Sequence, residues 1–237
     1  PAAWDAVVAG EPSLGAALRP TLPGHGPKPS AVPDTFEAVV DELAEGIAAS
    51  GATPVHLVGY SLGARLALGL LVRRVGLVRR ATLIGPHPGL QEPAERTRRQ
   101  RDDAEWARCL RERGLDAFVD LWQAQPVLKP AVTTPSDRID AQRRWRHAHE
   151  AESLARALEV MSLGRMPDYW PRLDAIEAPV TVVVGADDDK FRRVADRMVP
   201  RLARGRLAVA PHSGHNPLLD NPAWLARCLQ RLEEEDR

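Results

Sequence analysis

The chain has 237 residues, of which 44% are apolar and 27% charged, with a mean hydropathy of −0.30; this suits one large folded domain or a domain with an inserted subdomain, and excludes a disordered polyelectrolyte. Its 32 basic and 32 acidic residues cancel, so no global field draws it to nucleic acid. No apolar run approaches the roughly 18 residues of a membrane-spanning helix, no charged-then-apolar leader opens the chain, and the two cysteines, Cys109 and Cys228, form no spaced framework. These features point to a cytoplasmic protein without disulfides, a membrane or a nucleic-acid partner, and they leave the oligomeric state open.

In chain order, the first clear element is a helix over Asp34 to Ala49, with Asp34 and Glu37 spaced as a capping box and a stop near Gly51. A strand at Val55 to Val58 follows, then Gly59-Tyr60-Ser61-Leu62-Gly63, a helix over Leu62 to Arg73 and a strand at Ala81 to Ile84. Between Gly89 and about Pro171 the strand pattern vanishes, and Arg, Glu, Trp and Leu recur at helical spacing with breaks at Gly114, Pro126, Pro130 and Pro135. The strand pattern resumes at Val180 to Val184, whose unbroken valines suit a strand buried on both faces. A strand at Leu207 to Ala210 and a helix over Pro222 to Glu234 close the chain. Strands alternating with helices predict an α/β fold with a mostly parallel sheet flanked by helices. The organisation expected is a core over 1–88 and 172–237, interrupted by a helical cap over 89–171.

The strongest chemical signal is the pentapeptide around Ser61. A serine between glycines, directly after a strand and directly before a helix, fits a sharp turn that lifts the hydroxyl above the sheet edge, with glycines two residues either side for want of Cβ room. The Leu62 amide, at the helix N-terminus, is then placed to donate to a developing oxyanion. A serine needs an acid and a histidine to activate it. Candidates follow the two later strands in that order: Asp187-Asp188-Asp189 after Val184, and His215 after Ala210. His212 with His215, or His147 with His149, lack further ligands for a metal, and neither a metal nor another cofactor is expected.

These residues resemble the α/β-hydrolase-fold enzymes through Leu22-Pro23-Gly24-His25-Gly26, Gly59 to Gly63, Gly185 to Asp188 and Gly214-His215. Within that fold, the chain resembles the 2-succinyl-6-hydroxy-2,4-cyclohexadiene-1-carboxylate synthase family of menaquinone biosynthesis. The matching residues are Gly59 through Arg65, His87-Pro88-Gly89-Leu90, Glu95-Arg96 through Arg99-Gln100-Arg101 to Asp103 and Trp106, Trp122 with Gln125-Pro126, Arg146, Ser162-Leu163 and Asp188 through Phe191. The resemblance implies a lyase that eliminates pyruvate, with Ser61, Asp188 and His215 as a general-base triad and a small polycarboxylate as substrate. It also implies substrate contacts from Tyr60, Arg65, Arg99, Trp122 and Arg146. Arg65 stands at i+4 from Ser61, on the same helical face. Surface roles for Arg99 and Arg146, and a place for Trp122 in the cap core, are the plain alternatives. Arg96, Arg98, Arg101, Arg108, Arg111 and Arg113 read as a solvated helix face paired with Glu95, Asp102, Asp103, Glu105 and Glu112.

Two positions depart from the family: Gln123 stands where a tyrosine is expected, and Leu128 where an aromatic is usual. The family's first strands and second oxyanion-donating loop should precede Trp4, so the chain reads as lacking N-terminal strands, with poor activity and stability expected of it. The competing functions are a serine esterase, thioesterase or carbon–carbon hydrolase on the same fold, and a noncatalytic ligand-binding protein.

Overall fold

A computed structural model describes residues 2–11, 13–14 and 17–235. Helix α1 (Asp5–Gly10) leads to α2 (Phe36–Ala49), β1 (Val55–Tyr60), α3 (Leu62–Arg73) and β2 (Val78–Ile84). Three helices follow without a described strand between them: α4 (Pro93–Gln123), α5 (Ser136–Arg146) and α6 (Ala151–Val160). The chain then forms β3 (Val180–Gly185), α7 (Asp189–Met198), β4 (Gly205–Ala210), the single turn α8 (Pro217–Asp220) and α9 (Pro222–Glu234).

Among the described residues the four strands form one parallel sheet in the order β1-β2-β3-β4. Successive side chains of a strand point to opposite faces, and this divides the core. Leu83, Val182 and Val184 pack with α2, α3 and α7, whereas Ile84 and Val183 pack with Val7 of α1, Leu218 of α8 and Leu225 and Leu229 of α9. β3 is buried along its whole length, as its valines predict. β1 and β4 are the outer strands among those described, and on β4 Leu207 and Val209 are exposed.

The register brings the C-terminal ends of the strands level. Tyr60 lies beside Ile84, Ile84 beside Val183, and Gly185 beside Ala210. Ladder bonds continue one residue further, from Ser61 N–H to Ile84 O (2.8 Å), Gly85 N–H to Val183 O (2.9 Å) and Ala186 N–H to Ala210 O (2.8 Å). Every loop leaving this edge therefore starts from the same plane.

The start of α2 differs from the capping box expected at Asp34. Thr35 is the cap, its Oγ1 accepting from Ala38 N–H at 3.1 Å. Asp34 is free to pair with Arg156 of α6 at 2.7 Å. A hydroxyl one residue later satisfies the same orphan amides.

Within α4 the backbone leaves the helical region at Gly114 (φ 79°, ψ 174°). Ala107, Leu110, Phe118 and Val119 form a separate apolar cluster with Leu154 and Ala155 of α6. The expected solvated arginine face is only partly present. Arg111 pairs with Glu152 (2.9 Å) and Glu159 (2.6 Å) of α6 instead of with neighbours on its own helix. Arg96 donates to the carbonyls of Leu90 (3.3 Å) and Met166 (2.9 Å), tying the start of α4 to the chain after α6. Asp103 is buried and accepts from Arg99. Helical spacing marks which residues share a face, but it does not say which face a second helix will cover.

The segment Leu22 to Gly26 anchors to the helical segment through two histidines. Gly26 N–H donates to His149 Nδ1 at 3.1 Å, His25 Nδ1 lies 2.9 Å from Pro23 O, and the two rings meet edge to face at 5.6 Å. An acceptor at Nδ1 requires neutral His149 or the loss of that bond. Burial first, then the charges of His25 and Arg146, push its pKa down to about 4. Below pH 6.5 the unfolded chain takes up a proton that the folded chain refuses, so stability falls as pH drops from 6.5 toward 4. Melting temperatures measured at intervals over that range are expected to decline with acidification, and His149→Gln should reduce the slope by up to about one proton. An unchanged slope in the variant would place the proton uptake elsewhere.

Candidate active site

Ser61 sits between β1 and α3 with φ 49° and ψ −106°, a backbone conformation that a residue with a Cβ rarely adopts. Two backbone bonds hold it there: its N–H to Ile84 O, and its carbonyl accepting from Arg65 N–H at 3.1 Å. The turn is tight on one side only. A Cβ on Gly59 would lie 2.4 Å from Gly63 O and 2.8 Å from Ala64 Cα, whereas a Cβ on Gly63 would meet nothing within 4 Å. The expectation that both glycines are needed for space is therefore corrected. The close approach is of Gly59 onto the backbone of the helix's first turn, and Gly63 contributes only backbone to it.

The turn aims the Ser61 hydroxyl at His215. Nε2 of His215 lies 3.1 Å from Ser61 Oγ, and Nδ1 lies 2.8 Å from Asp188 Oδ2. Asp188 and His215 are both buried. Of the three consecutive aspartates, Asp187 and Asp189 are exposed, and Asp188 also caps α7 by accepting from Phe191 N–H at 3.2 Å. One oxygen thus orients the helix and the other the imidazole. The Leu62 amide, first in α3, makes no hydrogen bond to a described residue, as expected for the orphan donors at a helix start.

Several residues hold His215, and two of them, Gly85 and Asp220, carry no sequence signal. Gly85 has φ +57°, and a Cβ there would lie 2.6 Å from His215 Cε1. Gly185 leaves no room either, because its Cβ would meet Gly214 O at 2.0 Å. The Phe191 ring stacks on the imidazole at 4.1 Å, and Tyr60 approaches at 5.6 Å. Buried Asp220 accepts from Gly214 N–H (2.9 Å), Ala131 N–H (3.0 Å) and Thr134 Oγ1 (2.6 Å), stapling the histidine loop to the stretch before α5. An aspartate five residues beyond His215 has no motif of its own, and only the fold reveals its three donors.

The other sequence-selected residues divide into two groups. Arg65 donates to Met161 O at 2.9 Å, and burial first, then the Arg99 charge, pulls its pKa down to about 10. Arg99 uses Nε for Asp103 at 2.8 Å. Lys190 feels burial and then the Arg99 charge. These cations neighbour one another, with Asp103 paired to Arg99 and Asp188 acting on Lys190, which is itself exposed. On another side, burial weakens the protonation of Arg146, which faces Tyr60; burial also raises the pKa of the Tyr60 hydroxyl.

Trp122 is half-buried in an aromatic cluster, 5.2 Å from both Phe118 and Trp106, so the apolar core of the helical segment accounts for at least one side of its ring. Beside it, Gln123 donates to Val119 O at 3.2 Å, and Leu128 ends a short 3-10 turn. Neither of the histidine pairs considered for a metal gathers further ligands. His147 bonds to Asp116 (2.8 Å), His149 accepts from Gly26, and among the described residues no three His, Cys, Asp or Glu converge.

The sequence pattern of the Alpha/beta hydrolase family matches residues 1–228. The 2-succinyl-6-hydroxy-2,4-cyclohexadiene-1-carboxylate synthase of Enterobacter sp. (strain 638) is 32% identical over 219 residues, spanning 91% of this chain and 80% of that protein. The structure of MenH from S. aureus superposes with a TM-score of 0.86 at 26% identity, over 91% of this chain and 82% of that one. A thermophilic esterase from Thermogutta terrifontis shares the fold, with a TM-score of 0.81 at 21% identity over 98% and 85% of the two chains.

The asymmetry of the elbow gives a direct test. Gly59→Ala forces backbone apart and is expected to lower stability by about 2 to 4 kcal/mol, whereas Gly63→Ala fills open space on a helix and should stay within about 0.5 kcal/mol or stabilise. Urea unfolding of both variants checks this, and equal losses would contradict the one-sided contact.

Proposed function

The chain belongs to the alpha/beta hydrolase family, and from that premise we propose that it catalyses the reaction named in its synthase relatives, forming 2-succinyl-6-hydroxy-2,4-cyclohexadiene-1-carboxylate by eliminating pyruvate from 2-succinyl-5-enolpyruvyl-6-hydroxy-3-cyclohexene-1-carboxylate. The observation that carries this reading is the set of neighbouring cations Arg65, Arg99 and Lys190, the first two partly buried, of which only Arg99 forms an ion pair among the described residues, with Asp103. Burying like charges together is costly unless an anion joins them. A polycarboxylate substrate supplies that anion. An esterase for neutral substrates has no use for such a cluster.

In this reading, Ser61 is the base that meets the substrate. His215 takes the Ser61 proton through Nε2, and Asp188 at Nδ1 stabilises the imidazolium that results. The serine oxygen removes the proton α to the substrate's carbonyl, and the electron pair moves into the ring as the C–O bond to the departing pyruvate unit breaks. Negative charge that collects on the carbonyl oxygen meets the Leu62 amide at the start of α3. Arg65, Arg99 and Arg146 hold carboxylates, while Tyr60 and Trp122 border the substrate. In this reading the segment 89–171 acts as a cap between core segments 1–88 and 172–237, supported by the charge of Arg99 acting on Arg65 and Lys190 and by the interaction of Arg146 with Tyr60. No described helix is long and apolar enough to cross a membrane, and on this reading the protein acts in the cytoplasm on a soluble substrate.

Pyruvate release from the enolpyruvyl precursor tests the proposal. Wild-type protein should release it, and Ser61→Ala and Arg99→Ala should each lose at least a hundredfold in kcat/KM, about 2.7 kcal/mol of transition-state stabilisation. Cleavage of simple esters through Ser61 with no pyruvate formed would make the protein a hydrolase instead. Binding of the precursor with neither reaction would make it a noncatalytic receptor.

A further inference from the structure

His87 lies beyond β2, on the sheet edge that carries Ser61 and Asp188, and the chemistry described so far does not use it. It is rigidly held. Gly89 N–H donates to His87 Nδ1 at 3.1 Å, Tyr169 N–H donates to Pro88 O at 2.7 Å, and Trp170 Nε1 donates to Gly89 O at 3.0 Å. Gly89 itself has φ +117°, with Pro167 O only 2.6 Å from where a Cβ would stand. The segment 87–89 is thus clamped against 167–170.

The clamp fixes the tautomer. A backbone N–H already points at Nδ1, so the ring proton of the neutral imidazole belongs to Nε2. Nε2 makes no hydrogen bond to any described residue, and it is not among the sealed-off buried polar atoms. It is a donor left for a ligand. The charged groups around the ring are Arg65 of α3, Arg99 of α4, and Lys190 and Arg197 of α7. Burial first, and then these four charges, hold the His87 pKa down to about 4, so the ring stays neutral at working pH.

We propose that His87 is a specificity-determining residue of this site, its Nε2–H donating to an oxygen of the substrate carboxylate that Arg65 and Arg99 hold. The inference rests on the function proposed above for the location of that carboxylate. A neutral donor suits the place: a fifth positive charge would add repulsion to a cluster already in excess, whereas an uncharged N–H adds a directed bond without it.

A purely structural role for His87 predicts a different outcome from the same variant. His87→Asn keeps an acceptor for Gly89 N–H two residues on, as an Asx turn does, and removes the outward N–H. The expected result is KM for the enolpyruvyl precursor raised about tenfold with kcat within about threefold, as for loss of one hydrogen bond to a charged group. An unchanged KM with pyruvate still released overturns the inference and leaves the function standing.

A second measurement is independent of turnover. In wild-type protein with 15N-labelled histidine, NMR should show His87 as the Nε2–H tautomer from pH 8 down to pH 5. Its Nε2–H resonance should move on addition of succinate, a dicarboxylate probe, and not move in Arg99→Ala. A proton on Nδ1, or a resonance unmoved at saturating succinate, overturns the inference. A succinate response in a protein that releases no pyruvate supports the carboxylate site and overturns the lyase reading alone.

Discussion

Everything at the catalytic edge follows from one backbone approach, that of Gly59 onto the carbonyl of Gly63 and the Cα of Ala64. It turns a strand into a helix without a linker and leaves Ser61 at a positive φ. Strain of this kind persists only when surrounding structure over-determines it. Here the ladder bond to Ile84 and the first helical bond from Arg65 do so. The level strand ends then fix the rest. Gly85 and Gly185, each the residue where a strand ends or has just ended, give up their side chains so that His215 and its loop can reach the serine. Three glycines at the ends of adjacent strands thus serve one hydrogen-bonded line, Ser61 to His215 to Asp188, built from contacts of 3.1 and 2.8 Å on the two sides of the imidazole.

The histidine loop is not positioned by the sheet alone. Through Asp220, the Gly214 amide shares one buried carboxylate with Ala131 and Thr134, which belong to the stretch between α4 and α5. A buried carboxylate with three donors is well satisfied, and removing it would leave those donors unpaired. The imidazole is therefore coupled to the helical segment that also carries Arg99 and Arg146, so the proposed base and the proposed carboxylate-binding groups are set relative to one another. That coupling suits a reaction in which proton removal must coincide with the grip on a polycarboxylate.

Much of this was legible in the sequence, and what was not has physical reasons. Strand, elbow and helix around Ser61 announce themselves because their signals are local: valine-rich runs, flanking glycines, helical periodicity. His215 and the run Asp187 to Asp189 were legible because a parallel sheet returns each loop to the same edge, while the choice of Asp188 among the three came from the family resemblance. The hydroxyl of Thr35 displaced Asp34 as the helix cap because adjacent residues compete for the same amides, and sequence alone does not rank them. Arg96, Arg111 and Asp103 read as a solvated face, yet the first ties down carbonyls, the second bridges to α6 and the third is buried. Those outcomes depend on which helix covers α4, a long-range fact. Gly63 misled in the other direction, since a glycine in the expected place need not be there for room.

The chemical identity of the buried groups follows from how far each can be shifted. Burial lowers the protonation of arginine, lysine and histidine alike. Arginine starts so high that Arg65, even at about 10, remains a cation at neutral pH. Histidine starts near 6.5, so the same environment that leaves Arg65 charged makes His87 and His149 neutral, each at about 4. A site that needs both charge and uncharged donors can therefore obtain them from burial and neighbouring charge together, by placing arginine where charge is required and histidine where it is not. The preference of this chain for arginine, with lysine only at positions 28, 129 and 190, suits that demand: of the two long cations, only arginine keeps its charge by a wide margin and binds a carboxylate through two parallel bonds.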